Sequence, residues 1–135
     1  MMGCRIVEKA RESLGARFRH QGRVPGPRGF LDCVGLVATS LERAGRPARD
    51  TKAYRSRPSS KLLLREISEQ FVPTDVIEPG TIALFWEAHP AKPQHVAIMT
   101  GQGTLLSAQS GRGVVELEYD RGWQERLHSL WSPEA

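Results

Sequence analysis

Cys33 stands where a cysteine could act as a nucleophile, at the start of a predicted helix. The preceding Asp32 is a good cap, because its short carboxylate can accept from the free N–H groups of the first turn. Apolar side chains then recur at helical spacing until Gly45, at Cys33, Leu36, Val37, Leu41 and Ala44. The dipole of such a helix favours the thiolate, which is the reactive form of cysteine. Taken alone, this stretch is equally typical of a small apolar residue packed beneath a helix.

A cysteine nucleophile needs a base within hydrogen-bond reach, and the base needs a group that orients it. His95 is the best of the four histidines, because it opens the strongly apolar run at residues 96–99, where a surface histidine has no packing role. A histidine that merely caps a strand edge is the alternative. The other histidines lie in loops or in the tail, at His20, His89 and His128.

Two polar residues of the next predicted strand could orient His95. Ser107 and Gln109 lie on one face of an otherwise apolar segment, and either could accept a hydrogen bond from the second ring nitrogen of the histidine. Neither carries a charge, so either would hold an imidazolium less strongly than a carboxylate would. An outward polar face is the alternative interpretation, and the pattern does not choose between Ser107 and Gln109.

Helices dominate the first half of the chain and must carry the cysteine to its partners. Residues 3–14 predict a first helix that ends at Gly15, with Ile6, Val7, Ala10 and Leu14 on its apolar face. Residues 15–29 hold four glycines and two prolines and predict a loop, which either lines a site or only connects. Residues 46–58 are basic and irregular. A further helix follows Ser59 or Ser60 and ends at Pro73, with Leu63, Leu64, Ile67 and Phe71 facing inward.

The periodicity changes from helical to alternating after Glu78. Strands are predicted at residues 81–87, 95–100, 104–110 and 114–119, and glycine-rich turns separate the last three. Short strands joined in this way favour an antiparallel meander. The tail, residues 122–135, carries two tryptophans and two leucines and is expected to pack back onto the sheet. The predicted fold class is therefore α+β, with N-terminal helices packed on a C-terminal sheet.

The composition predicts one domain over residues 1–135 and excludes several classes of protein. With 39% apolar residues and no apolar run near the ~20 residues needed to span a bilayer, no membrane span is expected. Residues 1–9 lack the apolar stretch of a signal peptide, so the chain is expected to be cytoplasmic as synthesised. Cys4 lies on the predicted first helix and is expected to have a packing role. Two cysteines and four scattered histidines predict neither a disulfide nor a metal site.

The net charge of +4 hides an uneven distribution. Residues 1–65 hold 15 of the 19 basic and 5 of the 15 acidic residues, which gives +10 there and −6 in the remainder. The basic residues form no block and no aromatic stacking pattern accompanies them, so a nucleic-acid partner is not expected. An anionic ligand, an acidic partner or a solvated face fits the pattern better.

Three motifs together resemble a known family. Residues 32–37 read Asp-Cys-Val-Gly-Leu-Val, residues 78–85 read Glu-Pro-Gly-Thr-Ile-Ala-Leu-Phe, and residues 95–99 read His-Val-Ala-Ile-Met. In order and spacing they resemble the NlpC family (the p-sixty family) of papain-like cell-wall cysteine peptidases. Residues 18–23, Phe-Arg-His-Gln-Gly-Arg, are similar to the phage-tail and prophage branch of that family.

The resemblance implies a fold, a substrate and a set of roles. Cys33 would be the nucleophile and His95 the base, with Ser107 or Gln109 as the third polar residue. Murein stem peptides would be cleaved, typically between D-γ-glutamyl and a diamino acid, without a metal or cofactor. The resemblance also implies phage tail proteins as partners, virion or tail association, and substrate-binding roles that fall on Phe18, His20, Asp32 and Val34.

Three departures from the family pattern leave a second hypothesis open. Ser107 falls where the family most often has a histidine, Phe18 replaces a tyrosine and its hydroxyl, and Thr81 replaces an aspartate. A catalytically weak homologue with a structural or binding role, for example in a phage-like tail, fits these changes. A related acyl transfer on another substrate is a third possibility.

Overall fold

A computed structural model describes residues 1–52, 54 and 58–134. The predicted irregular stretch at 46–58 lies partly outside the described residues. The helices are α1 (Met2–Arg11), α2 (Cys33–Arg43), α3 (Ser60–Gln70) and α4 (Arg121–Glu125). The strands are β1 (Arg17–Phe18), β2 (Arg23–Val24), β3 (Phe30–Leu31), β4 (Val72–Thr74), β5 (Ile82–Trp86), β6 (Pro93–Met99), β7 (Thr104–Gln109), β8 (Gly113–Glu118) and β9 (Leu127–Ser132).

The predicted α+β fold class is confirmed, and the sheet is larger than the predicted meander. Its six strands lie in the order β4-β9-β5-β6-β7-β8, with antiparallel pairing throughout. The meander of four strands from β5 to β8 is as expected. The tail adds β9, which pairs with β4 on one side and with β5 on the other. This insertion carries the short helix α4 to the end of the sheet where β6 begins.

Helix α2 begins where the sequence predicts. Asp32 caps it, with its Oδ1 accepting from the Gly35 N–H at 2.8 Å. Gly35 has a second role, because a Cβ built there would lie 2.0 Å from the carbonyl oxygen of Gly22. Only glycine lets this first turn approach the segment between β1 and β2 so closely. Helix α2 is therefore held at its N-terminus by both a cap and a backbone contact.

The two faces of the sheet are covered unequally. One face packs on α1, α2 and α3 and holds the larger core cluster, to which it contributes Ile82, Leu84, Val96, Ile98, Leu106 and Ala108. The other face carries Ala83, Phe85, Ala97, Met99, Leu105 and Leu130. The C-terminal stretch covers that second face with Tyr119, Trp123 and Leu127. The order of helices first and sheet second thus leaves the tail to close the second face.

Several local predictions are wrong. Residues 15–29 are not only a loop, since β1 and β2 form a three-stranded sheet with β3, in which β1 and β3 run parallel. The first helix ends at Arg11 rather than at residue 14. Pro73 lies within the edge strand β4, after α3 has ended at Gln70. Cys4 is exposed on α1 and does not pack beneath it. Among the described residues, no helix combines the length and apolarity needed to cross a membrane.

Candidate active site

A cleft of about 350 Å³ opens where the N-terminus of α2 meets the start of β6. The end of β7 and the region of α4 complete its walls. Its lining residues are Phe18, Asp32, Cys33, Pro58, Glu87, Gln94, His95, Ala108, Gln109, Ser110, Trp123 and Arg126. The fold therefore brings Cys33 and His95, which are 62 positions apart in the sequence, to one cleft.

The sulfur of Cys33 is buried, with the residue only 7% exposed. Burial raises the pKa of the thiol to about 12, and the charge of Asp32 adds to this rise. The backbone N–H groups of Val96, Val34 and Cys33 itself act in the opposite direction without compensating. The resting sulfur is thus a neutral thiol, contrary to the thiolate expected from the helix dipole. The Val96 N–H also places the sulfur beside the β6 backbone, one residue from His95.

His95, Ser107 and Gln109 form a hydrogen-bonded row across β6 and β7. The Nε2 atom of His95 lies 2.7 Å from the Ser107 Oγ. The Gln109 amide nitrogen lies 2.7 Å from the same oxygen and donates to it. Ser107 is fully buried, so its hydroxyl is held in this arrangement. Of the two candidates for orienting the imidazole, Ser107 makes the direct contact and Gln109 contacts Ser107.

A buried ionic cluster is centred on Asp32, the residue that precedes Cys33. Both oxygens of Asp32 are used: Oδ1 also accepts from Arg23 Nη1 at 2.9 Å, and Oδ2 accepts from the Gln21 N–H at 2.9 Å and from the Tyr54 hydroxyl. Arg23 in turn donates to the carboxylate of Asp50 at 2.8 Å and to the Tyr54 oxygen at 3.1 Å. The cap residue of α2 therefore has four donors and is only 3% exposed.

The pKa values in this cluster follow from those contacts. Burial lowers the pKa of Arg23, but its hydrogen bonds to Asp50 and Tyr54 and the charge of Asp32 outweigh burial and raise it above the ordinary value. Burial raises the pKa of Tyr54, and its hydrogen bond to Asp32 raises it further. At neutral pH the guanidinium is charged and the phenol is neutral. The phenol is therefore a donor to Asp32.

The four predicted substrate-binding residues do not all reach the cleft. Phe18 and Asp32 line it, although the donors described above occupy the Asp32 carboxylate. His20 is exposed outside it, and its ring packs edge-to-face with the Tyr54 ring, with the centroids 5.3 Å apart. Val34 lines a separate apolar cavity of about 50 Å³ between α2 and α3.

Sequence reasoning missed the wall of the cleft that the tail supplies. Trp123 packs edge-to-face on Phe85 with ring centroids 4.8 Å apart, and its ring centroid lies 5.9 Å from that of His95. The Arg126 guanidinium lies 4.4 Å from the centroid of the Trp123 ring. Two tryptophans in a short polar tail were the signal available in the sequence, but nothing local indicated that they would meet His95. In the part of the chain that the structure describes, no group of three or more histidine, cysteine or acidic residues is arranged to hold a metal.

The raised pKa of Cys33 predicts slow alkylation in the folded protein. At pH 7.5 a thiol with a pKa of about 12 is ionised in fewer than about one molecule in 10⁴. We expect iodoacetamide to modify the exposed Cys4 first. The labelling rate of Cys33 should rise about tenfold for each unit by which the pH is raised, as long as the pH stays below its pKa. Peptide mapping by mass spectrometry measures both rates, and unfolding in denaturant should make them equal. Preferential labelling of Cys33 in the folded protein would show that its sulfur is ionised.

Comparisons with known proteins agree with this architecture. The model of the NlpC/P60 family matches residues 15–132. The NlpC/p60 domain of the peptidoglycan hydrolase SagA is 25% identical, with a TM-score of 0.64 over 96% of this chain and 97% of that domain. An NlpC/P60 family protein from Bacillus cereus is 18% identical, with a TM-score of 0.76 over 98% of this chain. A comparison with curated proteins found no match.

A third solved structure is similar in fold but differs in its described function. RipD from Mycobacterium tuberculosis, named as a non-catalytic NlpC/p60 domain protein adapted to peptidoglycan binding, is 17% identical, with a TM-score of 0.64. The match covers 98% of this chain and 97% of that one. By contrast, the chain spans only 40% of the length of the Bacillus cereus protein.

Proposed function

Because the chain belongs to the NlpC/P60 family, we propose that it is a cysteine peptidase that hydrolyses peptide bonds of peptidoglycan. The observation that carries the proposal is the cleft shared by Cys33 and His95, with the imidazole fixed through Nε2 by Ser107. With Nε2 in contact with Ser107, we propose Nδ1 as the ring nitrogen that exchanges a proton with the substrate and the thiol. Cys33 is the proposed nucleophile and His95 the proposed base.

The neutral thiol defines how the proposed reaction begins. His95 Nδ1 takes the proton from Cys33 as the sulfur attacks the scissile carbonyl carbon, so attack and deprotonation are coupled. The N–H groups of the first turn of α2 stabilise the oxygen that becomes negative. Phe18 offers no hydroxyl there. The imidazolium then protonates the leaving amine, and water activated by His95 hydrolyses the thioester, which restores the thiol.

The proposed substrate is the murein stem peptide, cut between D-γ-glutamyl and the following diamino acid. The cleft is open and mixed in character, with Trp123 on one wall and the charged Glu87 and Arg126 at its edge, which suits a charged peptide. We further propose that residues 1–135 act as one domain. The two halves are tied together, since Arg11 on α1 pairs with Glu116 on β8 at 3.0 Å.

Digestion of purified peptidoglycan tests the proposed activity. Wild-type protein should release soluble peptides, and mass spectrometry should find products that begin with the diamino acid at a new amino terminus. Release of peptides with any other new terminus would contradict the proposed bond. No release over the buffer control, with the protein shown to be folded, would contradict the proposed activity.

Ser107 and Gln109 are predicted to contribute unequally. Ser107→Ala removes the direct contact to His95 and is expected to lower kcat by roughly tenfold to a hundredfold, since a positioned base contributes about 10²–10⁴. Gln109→Ala should have a smaller effect, because Gln109 contacts the imidazole only through Ser107. In the double variant, kcat should fall by the same factor as in Ser107→Ala alone. Additive losses in kcat would mean that Gln109 acts independently of Ser107.

A second candidate function is peptidoglycan binding without hydrolysis. The protonated state of the Cys33 thiol favours it, and the similarity to RipD shows that this fold also occurs in a protein described as non-catalytic. Co-sedimentation with peptidoglycan in the absence of peptide release would support this function over the first. The phage-tail setting implied by residues 18–23 has no support among the similar proteins and forms no part of either proposal.

A further inference from the structure

We propose that Arg126 binds a carboxylate on the leaving side of the substrate, and that the protein therefore prefers diaminopimelate to lysine after the cleaved bond. The inference rests on the proposed peptidase function and names a determinant of its specificity. It is carried by three observations: how Arg126 is held, what it does not pair with, and how near it lies to His95 through the Trp123 ring that both approach.

Arg126 is fixed at the cleft by its backbone and its side chain. Its N–H donates to the Trp123 carbonyl at 3.1 Å, and its own carbonyl accepts from the Trp86 N–H at 2.9 Å. Its guanidinium lies 4.4 Å from the Trp123 ring centroid. The Trp123 ring itself packs on Phe85, and the backbone N–H of Trp123 donates to the Asp120 carboxylate at 3.1 Å. A guanidinium stacked in this way keeps its in-plane N–H donors for a ligand.

The charge of Arg126 has no acidic partner within residues 1–52, 54 and 58–134. Six other arginines contact carboxylates of the chain at 2.5–3.8 Å: Arg11, Arg23, Arg43, Arg49, Arg65 and Arg121. A cation that lines a substrate cleft without a counter-charge is suited to a carboxylate of the ligand, and a guanidinium can bind one in a bidentate manner.

The position of Arg126 relative to His95 assigns the carboxylate to the leaving side. In the proposed reaction the imidazolium gives its proton to the departing amine, so the residue that bears this amine lies next to the imidazole. Trp123 is the aromatic neighbour of His95, with ring centroids 5.9 Å apart, and the Arg126 guanidinium lies 4.4 Å from the centroid of the same Trp123 ring. A diamino acid side chain that follows the Trp123 surface from the departing amine leads toward the guanidinium.

Diaminopimelate and lysine differ at the far end of this side chain by one carboxylate, while both carry the distal amine. A site whose recognition element is an arginine therefore discriminates between the two. The same site should also discriminate against diaminopimelate whose distal carboxylate is amidated, since the amide keeps the size and removes the charge.

Three synthetic peptides test the inference. They carry L-Ala-γ-D-Glu followed by meso-diaminopimelate, by its distal amide or by L-lysine, and kcat/KM is measured for each from the released diamino acid product. Wild-type protein should favour the carboxylate peptide by about tenfold or more, the value of one charge-assisted bidentate contact. Arg126→Gln should abolish that preference and Arg126→Lys should retain part of it. Arg121→Gln removes the same charge from the exposed face of α4 and should leave the preference unchanged.

Binding separates failure of the inference from failure of the proposed function. Titration calorimetry of the three peptides with Cys33→Ala, alone and combined with Arg126→Gln, measures the preference without turnover. A preference in binding that depends on Arg126, with no hydrolysis by wild type, would overturn the peptidase and keep the carboxylate site. Hydrolysis of all three peptides with equal kcat/KM, or a preference that survives Arg126→Gln, would overturn the inference and leave the peptidase standing.

Discussion

Replacement of Cys33 by alanine is expected to lower peptide release from peptidoglycan by at least about 10⁴-fold, the loss that follows removal of a covalent nucleophile. The expectation follows from its place in the cleft with His95 and from its position in the first turn of α2. The side chain is small and the variant keeps the Asp32 cap, so the fold should persist. Peptide release from purified peptidoglycan, quantified by mass spectrometry, gives the rate.

Cys4→Ala is the matched control for this variant. It removes the second thiol of the chain from the exposed surface of α1, away from the cleft, and should leave the rate unchanged. Circular dichroism and thermal unfolding of both variants establish that the protein remains folded. Unchanged release by a folded Cys33→Ala would remove the proposed nucleophile, and equal losses in both variants would indicate that thiol chemistry outside the cleft is responsible.

Hydrolysis, rather than alkylation, is the decisive measurement for Cys33. A dipole at a helix N-terminus contributes at most about 2 kcal/mol, whereas full burial can shift a pKa by 3–5 units. The sequence places Cys33 at the start of a helix, and the favourable effect of the helix dipole on the thiolate can be predicted from that position. It does not reveal that the sulfur is buried away from water. Slow labelling of the resting thiol is therefore compatible with catalysis in which His95 removes the proton during attack.

Local patterns predicted the caps of α2 and α3 and the meander, but not the end of α1 or the strands within residues 15–29. Asp32 caps α2 as predicted, and Ser59, one of the two candidates, caps α3, because capping depends on side chains within one turn of the helix. The meander from β5 to β8 follows from alternation and from glycine-rich turns. The pairing of β9 with both β4 and β5 depends instead on contacts between segments that are 42 to 60 residues apart, such as Pro73 with Trp131 and Phe85 with Leu127. Periodicity carries no information on such pairing.

The same distinction applies to the candidate site. The motifs around Cys33 and His95 identify the two residues, and the alternation in β7 narrows the third to Ser107 or Gln109. The choice between them, and the contribution of Tyr54 and Trp123, depends on which segments meet in space. Side chains supplied by loops and by the tail are therefore the part of a site that a single sequence predicts least well.

Asp32→Ala is expected to lower the free energy of unfolding by about 3–5 kcal/mol, the cost of breaking a buried ion pair by removing one partner. The Arg23 and Asp32 side chains are only 13% and 4% exposed, and their charged atoms lie 2.9 Å apart. Without the carboxylate, the guanidinium of Arg23 keeps a buried charge that Asp50 only partly balances. The Gly35 N–H, the Gln21 N–H and the Tyr54 hydroxyl also lose their acceptor. Urea denaturation measures the difference.

Asp50→Asn separates burial from charge in this prediction, because both carboxylates pair with the same guanidinium. The Asp50 side chain is 39% exposed, so its loss should change the free energy of unfolding by no more than about 1 kcal/mol. Asp32→Asn keeps an oxygen for the Gly35 N–H but removes the charge, and should fall between the two. Equal effects of Asp32→Ala and Asp50→Asn would mean that burial does not set the strength of the pair. The acidic cap of α2 would then be replaceable by any surface charge near Arg23.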